Sequence, residues 1–116
     1  MESHERVRIY TVPKAAEAAA EAVSALAGGC SIILAAGWWL DEEGTLCQEP
    51  AAVLEAVCPP EHAAAVVVAV QEAARAAGEN SILVTAERTA AAYICTAWSP
   101  AEAVWAVVQD AATGPR

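Results

Sequence analysis

The sequence predicts an α+β fold: an antiparallel sheet that carries both of its long helices on one face. Two alanine-rich segments with apolar residues at helical spacing each end in glycine, which predicts two helices. Short apolar segments of strand composition lie around them. An acidic turn joins two of those segments directly, and such a hairpin makes its strands antiparallel.

The chain begins with a predicted strand and helix. Residues Arg6–Val12 alternate as a half-buried strand does. Pro13 stops the strand and can open a helix, because its missing N–H is not needed in the first turn. The helix Lys14–Ala27 has an apolar stripe and ends at Gly28-Gly29, since glycine tolerates the left-handed conformation at a helix C-terminus.

The centre of the chain predicts a hairpin. Cys30–Leu40 is an apolar strand, and Asp41–Gly44 closes the turn with glycine supplying positive φ. The return segment Thr45–Cys58 has two interpretations, because Pro50 can open a short helix or form a bulge in a strand. We favour the strand, since the hairpin delivers the chain antiparallel and Pro59-Pro60 then ends it.

The second half of the chain predicts another helix followed by two short strands. The helix runs from about Glu61 to Ala77, starting at Pro60 and ending at Gly78. Ser81–Glu87 reads as a strand, and Ala90–Thr96 is expected to pair with it through a turn at residues 87–89.

A C-terminal helix follows. Ser99 and Glu102 have the spacing of a capping box around Pro100, and the helix should continue to about Ala112. We expect it to bury its apolar side chains Val104, Trp105 and Val108. Residues 113–116 are expected to be a frayed tail.

The predicted element order, β-α-β-β-α-β, is that of the ferredoxin-like fold, here with an added C-terminal strand and helix. Residues 1–112 should form one domain. One sheet face is then left open, and it must be covered by the C-terminal helix, a second subunit or a ligand.

Composition indicates a small core. The chain has 116 residues and is 57% hydrophobic, but much of this is alanine, and phenylalanine is absent. Such a core often gains burial by pairing with a second copy, so we expect a homodimer. No apolar run is long enough to span a membrane and the charged start lacks a signal-peptide layout, so a soluble, cytoplasmic protein is expected.

The charge balance is acidic. Lys and Arg number 6 against 15 Asp and Glu, a formal net charge of -9, which argues against unassisted nucleic-acid binding. Solubility accounts for this acidity, and a cationic ligand, a metal or a basic protein partner is the alternative. The four cysteines have no paired spacing and are expected to be buried thiols, with no metal site and no cofactor.

The candidate site surrounds Trp38-Trp39. Adjacent strand residues point to opposite faces, so one tryptophan can enter the core while the other needs a cover. A free tryptophan there can stack on a ring or a cation, with Asp41, Glu42 or Glu49 holding a polar group. The structural alternative is that Trp98, Trp105 or another chain covers it. The candidate ligand-binding residues are Trp38, Trp39, Asp41, Glu49 and Arg8.

Three further observations concern chemistry. Arg8 is grouped with Arg6 and Arg88 as rare strand cations that can form an anion site if they converge. Glu49 can act as a base if burial raises its pKa, although a solvated edge explains it equally well. His62 is a second acid–base candidate without a visible orienting partner.

The segment from Val7 to Val84 resembles small, mostly uncharacterised ferredoxin-like proteins of bacterial and phage genomes. The resemblance lies in the hairpin from Gly37-Trp38-Trp39 to Gly44, in Glu49 before an apolar strand, and in Gly78-Glu79 after a helix. It implies the ferredoxin-like fold and a role for the hairpin and Glu49, and it implies no particular activity.

Three functions fit these observations. The first is a homodimeric binding module that engages a small molecule or a partner near the Trp38-Trp39 hairpin and the open sheet face. The second is a small enzyme of the dimeric α+β-barrel kind, such as an isomerase, cyclase or monooxygenase, with Glu49 or His62 as acid and base. The third is an inhibitor or sequestering protein that presents acidic surface to a basic partner.

Overall fold

The structure, a computed structural model, describes residues 1–109. This part of the chain contains four strands and three helices in the order β-α-β-β-α-β-α, and a 3₁₀ turn at Pro60–His62 leads into the second helix. The elements are β1 (Glu2–Thr11), α1 (Pro13–Ala27), β2 (Ser31–Leu40), β3 (Leu46–Cys58), α2 (Ala63–Ala76), β4 (Leu83–Ala91) and α3 (Pro100–Val108).

The strands form one antiparallel sheet in the order β2-β3-β1-β4. The predicted ferredoxin-like α+β fold is therefore confirmed. The segment after the hairpin turn is a strand, as we favoured, and Pro50 lies within it opposite Ala36. Here β3 is paired on one side only, because its pairing with β1 ends at Ala52, and proline is tolerated at such an edge.

The core lies between α1, α2 and one face of the sheet. On that face Ile9 of β1 pairs with Leu54 of β3, and both side chains are fully buried. The helices contribute Val23, Val66 and Val70, which are also fully buried. Both helical stripes therefore face the sheet, and alanines fill much of the remaining interface.

Helix α1 ends where the sequence predicts. Gly28 has φ 84°, in the left-handed region, and its N–H donates to the Ser24 carbonyl oxygen at 2.8 Å. This bond satisfies one of the carbonyls that the end of a helix leaves open. Glycine is required here because other residues are strained at this φ.

The two predicted strands at Ser81–Glu87 and Ala90–Thr96 are wrong as separate elements. The structure has one strand, β4, that passes through residues 87–89 without a turn. The physical reason is that β1 begins at Glu2, earlier than predicted, and so offers pairing partners along all of β4 as far as Ala91. Ion pairs cross this pairing at Arg6–Glu87 and Arg88–Glu5.

Helix α3 confirms the predicted capping box. The Glu102 N–H donates to Ser99 Oγ at 3.3 Å, and the Ser99 N–H donates to Glu102 Oε1 at 3.4 Å. The expected burial is wrong, since Val104, Trp105 and Val108 are all exposed. The cap depends on neighbouring residues alone, whereas burial needs a surface to pack against. The predicted continuation to Ala112 and the tail at 113–116 lie outside the described residues.

Replacing the cap residue tests how far α3 depends on it. We expect Ser99→Ala to cost about 1 kcal/mol of local helix stability, because the Glu102 N–H loses its acceptor. Amide hydrogen exchange should accelerate in α3 and stay unchanged in β1 and β3, since no residue of α3 is buried. Equal acceleration in the sheet would contradict this independence.

The hairpin projects from the sheet. Beyond the pairing of Thr11 with Ala52, β2 and β3 pair only with each other, and we call this ribbon, residues 35–51, the hairpin arm. The radius of gyration is 17.1 Å, against about 13 Å for a compact chain of this length. Among residues 1–109, no helix combines the length and apolar character needed to cross a membrane.

Candidate functional site

The two tryptophans of the hairpin arm lie on opposite faces, as predicted. Trp39 pairs with Cys47 on the side of the open sheet face, and Trp38 pairs with Gln48 on the side of the helices. The expectation that one of them enters the core is wrong, because Trp38 is 60% and Trp39 44% exposed. Both lie on the arm, past the end of β1, where the helices no longer cover the sheet.

Nor does α3 cover Trp39. Trp98 and Trp105 line a groove of about 590 Å³ formed by α3 and the residues that flank it, Trp98 and Gln109. Both of these side chains are themselves exposed. Within residues 1–109, Trp98 and Trp105 therefore do not cover Trp39, contrary to the structural alternative. A second chain or a ligand remains as the cover.

Asp41 shapes the turn of the hairpin. Its Oδ1 accepts hydrogen bonds from the N–H groups of Glu43 at 2.9 Å and Thr45 at 2.8 Å. Its own N–H donates to the Thr45 carbonyl oxygen at 2.9 Å, and its carbonyl oxygen accepts from the Gly44 N–H at 3.0 Å. The structure therefore gives Asp41 a positioning role in the turn and places it away from the cleft described next.

A cleft of about 680 Å³ lies where β1 ends and the hairpin arm continues; we call it the arm cleft. It brings together three of the predicted ligand-binding residues, Trp38, Trp39 and Glu49. Its other walls are the end of β1 and residues 78–81, which lead into β4. Glu49 is half-buried and pairs with Gly37, so no side chain stands opposite it on its face of the ribbon.

Thr11 is among the residues of the arm cleft that sequence reasoning missed. Its Oγ1 is buried and has no hydrogen-bond partner among residues 1–109. A buried hydroxyl without a partner is unfavourable by about 1–3 kcal/mol. Nothing in the local sequence marks Thr11, because its burial depends on the neighbouring strand.

The polar groups of the arm cleft favour a particular charge. Glu49 and Glu79 supply two carboxylates, and Tyr10 and Trp39 supply aromatic rings. The lining that the structure describes includes no lysine, arginine or histidine. Carboxylates beside aromatic rings suit a cation or a ring that carries hydrogen-bond donors.

Arg8 lies on the open sheet face, in an ion pair. Its Nε donates to Glu55 Oε2 at 2.6 Å, and this hydrogen bond raises the pKa of the guanidinium. Arg6 on the same face binds Glu87 and thereby lowers the pKa of that carboxyl. Arg88 has its partner Glu5 on the other side of the sheet. The three arginines therefore do not converge, and each faces a carboxylate.

His62 lies at the opposite end of the sheet from Glu49. Its Nδ1 is 2.8 Å from the Leu26 carbonyl oxygen, which is the orienting partner that the sequence did not reveal. Eight steps along β3 separate Glu49 from Val57, next to the cavity of His62; at about 3.3 Å per residue this is roughly 26 Å.

The cysteines differ from one another in burial. Only Cys58 is fully buried, and Cys30 and Cys47 are half-buried. Cys95 is exposed, so the prediction of burial is wrong there, because β4 ends at Ala91 and Cys95 lies outside the sheet. Burial raises the pKa of the Cys58 thiol, with Glu5 and Glu61 adding to the effect. In the part of the chain described, no three metal-ligating side chains gather.

Comparison with known proteins identifies the fold. No protein-family model matches the chain, and no curated protein matches it in sequence. A Bacillus cereus protein related to NIF3 is similar at 14% identity and a TM-score of 0.63, over 76% of this chain and 26% of that one. The chain thus spans about a quarter of that relative's length.

Two smaller proteins are similar over most of their length. The periplasmic divalent cation tolerance protein CutA from Archaeoglobus fulgidus has 15% identity and a TM-score of 0.59, over 90% of this chain and 95% of that one. A putative PII-like signaling protein from Thermus thermophilus has 23% identity and a TM-score of 0.53, over 75% and 86%. These likenesses confirm the class of fold, a small ferredoxin-like α+β protein.

Proposed function

We propose that this protein is a small self-associating binding module that holds a cationic or donor-bearing aromatic molecule in the arm cleft. The observation that carries the proposal is a cleft of about 680 Å³ in which Trp39 and Glu49 share one face of the hairpin arm and Trp38 lines the cleft from the other face. That volume lies within the usual range of small-molecule sites. CutA and the PII-like signaling protein share the fold, which is consistent with a binding or signaling module.

The chemistry of the arm cleft supports this ligand class. An aromatic ring can stack on Trp39, where half of the indole is free. A positive charge or an N–H group on that ring can reach Glu49 or Glu79. An anionic ligand is disfavoured, because it would meet two carboxylates and no cation.

We propose self-association because the protomer exposes a large surface that carries apolar side chains. Its accessible surface is 7458 Å², roughly a quarter more than a compact monomer of this mass exposes. Large apolar side chains on this surface include Ile33 and Leu83 on the open sheet face and Leu34, Leu40 and Leu46 on the other side of β2 and the arm. A second copy that packs on the open face makes a homodimer and removes Ile33 and Leu83 from water.

The enzyme hypothesis has less support. Its two acid–base candidates, Glu49 and His62, lie in different cavities at opposite ends of the sheet. Each would therefore have to act on a substrate without the other within a protomer. The acidic-inhibitor hypothesis meets a similar difficulty, because the carboxylates of Glu55 and Glu87 on the open face are matched by arginines.

Thermal-shift measurements with cationic aromatic compounds test the arm cleft. We expect a stabilising compound to bind the unmodified protein and to lose about tenfold in affinity in Trp39→Ala and in Glu49→Gln. Trp105→Ala is the matched control, because that tryptophan is exposed on α3 and lies outside the cleft. A compound that loses affinity in neither cleft variant, or equally in the control, would show that the cleft is not its site.

A further inference from the structure

A second cavity, of about 420 Å³, lies at the end of the sheet away from the hairpin arm; we call it the histidine cavity. Both histidines of the chain line it, His4 from β1 and His62 from the 3₁₀ turn before α2. Tyr93, just after β4, forms part of its wall. The Tyr93 hydroxyl lies 3.4 Å from the position that a Cβ atom on Gly28 would occupy.

Backbone contacts fix the same tautomer in both imidazole rings. His62 Nδ1 is 2.8 Å from the Leu26 carbonyl oxygen, and His4 Nδ1 is 3.0 Å from the Glu2 carbonyl oxygen. A carbonyl oxygen can only accept, so Nδ1 must carry the proton in each ring. In a neutral imidazole the other nitrogen, Nε2, is then a hydrogen-bond acceptor. When both rings are neutral, the wall of the histidine cavity thus has two imidazole acceptors.

The remaining walls are apolar, which limits the charge of a ligand. They consist of Leu26, Ala27, Gly28, Val57, Pro59, Ala91 and Ala92. No carboxylate in this lining can balance a cationic ligand, and no arginine or lysine can balance an anion. A metal ion also fits poorly, because structural and catalytic sites use three or four protein ligands and no such group gathers in residues 1–109.

From these features we propose that the histidine cavity binds a neutral phenolic molecule, an apolar ring that carries one or two hydroxyl groups. The ring lies between the apolar walls and Tyr93, and its hydroxyl donates to Nε2 of His62 or His4. This site is separate from the arm cleft and does not depend on the function proposed for it.

The test uses catechol as the probe and anisole as a ring of similar size without a hydroxyl. Titration into ¹⁵N-labelled protein should shift the side-chain Nε2 signals of His4 and His62 in a saturable way. We expect anisole to bind at least about fivefold more weakly, because it lacks the O–H donor. We also expect His62→Leu to weaken catechol at least about fivefold, and His62→Gln, which keeps an acceptor oxygen, to weaken it less.

The Nε2 signals report on this cavity and not on the arm cleft. Trp105→Ala is the matched control, because Trp105 is exposed on α3 and lines neither cavity, and its Nε2 shifts with catechol should equal those of the unmodified protein. The comparison of catechol with anisole needs no substitution, so it stands even if a histidine variant does not fold. Equal binding of the two probes would overturn the proposal. So would Nε2 shifts with Zn²⁺ but none with catechol.

Discussion

Leu54→Ala is expected to lower the free energy of unfolding by about 3 kcal/mol. Leu54 is fully buried on the central strand β3, between Ile9 of β1 and Ile32 of β2. Removal of its side chain loses apolar burial and leaves a cavity, and the alanines on α1 are too short to fill it. Urea denaturation followed by far-ultraviolet circular dichroism, at several protein concentrations, measures this loss.

Leu34→Ala is the matched control for this prediction. Leu34 lies on the neighbouring strand β2 and is 69% exposed, so the same substitution should change the free energy of unfolding by less than about 0.5 kcal/mol. If both leucine variants lost the same stability, the placement of the core between the helices and β3 would be wrong.

The sheet core could be predicted because its signal is local. The alternation of Val7 and Ile9 with Arg8 and Tyr10 places the first pair on one face whatever the strand pairs with. Helix ends were predicted on the same basis, since Gly28 and the Ser99–Glu102 box act within a few residues of their positions.

The prediction failed where a distant part of the chain decides the outcome. The single strand β4 requires β1 to begin at Glu2, and the pairing of Glu5 with Arg88 joins residues that are far apart in sequence. Exposure of Trp38 depends on where β1 ends, and this sets the length of the hairpin arm. The orientation of His62 depends on a carbonyl oxygen of α1. Local patterns carry no information about such contacts.

In the candidate site, too, the local sequence pattern accounts for some residues, and contacts elsewhere in the fold decide the role of others. The sequence singled out Trp38, Trp39 and Glu49, and the arm cleft brings them together because the ribbon fixes their register. Arg8 and Asp41 were also candidates, but each already has a protein partner, Glu55 for Arg8 and the turn N–H groups for Asp41. Residue type and proximity in sequence suggest that a side chain binds a ligand. Only the folded structure shows whether that side chain already has a partner within the protein.

Ile33→Glu is expected to abolish the proposed self-association. Ile33 lies on the open face of β2 opposite Val53 and is 53% exposed, so a carboxylate there stays in water in the protomer. Packing of a second copy on this face would bury the charge without a partner, at a cost of several kcal/mol. The mass from size-exclusion chromatography with light scattering should fall from twice to once the 11.9 kDa of the chain.

Val68→Glu distinguishes this effect from a general response to added negative charge. Val68 is an exposed residue of α2, in the helix layer on the other side of the sheet, so it should not enter the proposed interface. The variant carries the same extra charge and should keep the mass of the unmodified protein. Dissociation in both variants would point to charge repulsion between acidic protomers, and a mass of 11.9 kDa for the unmodified protein would contradict the dimer itself. Trp39 lies on the same side of the sheet as Ile33. If Val68→Glu remains dimeric and Ile33→Glu becomes monomeric, the second copy packs on that side of the sheet.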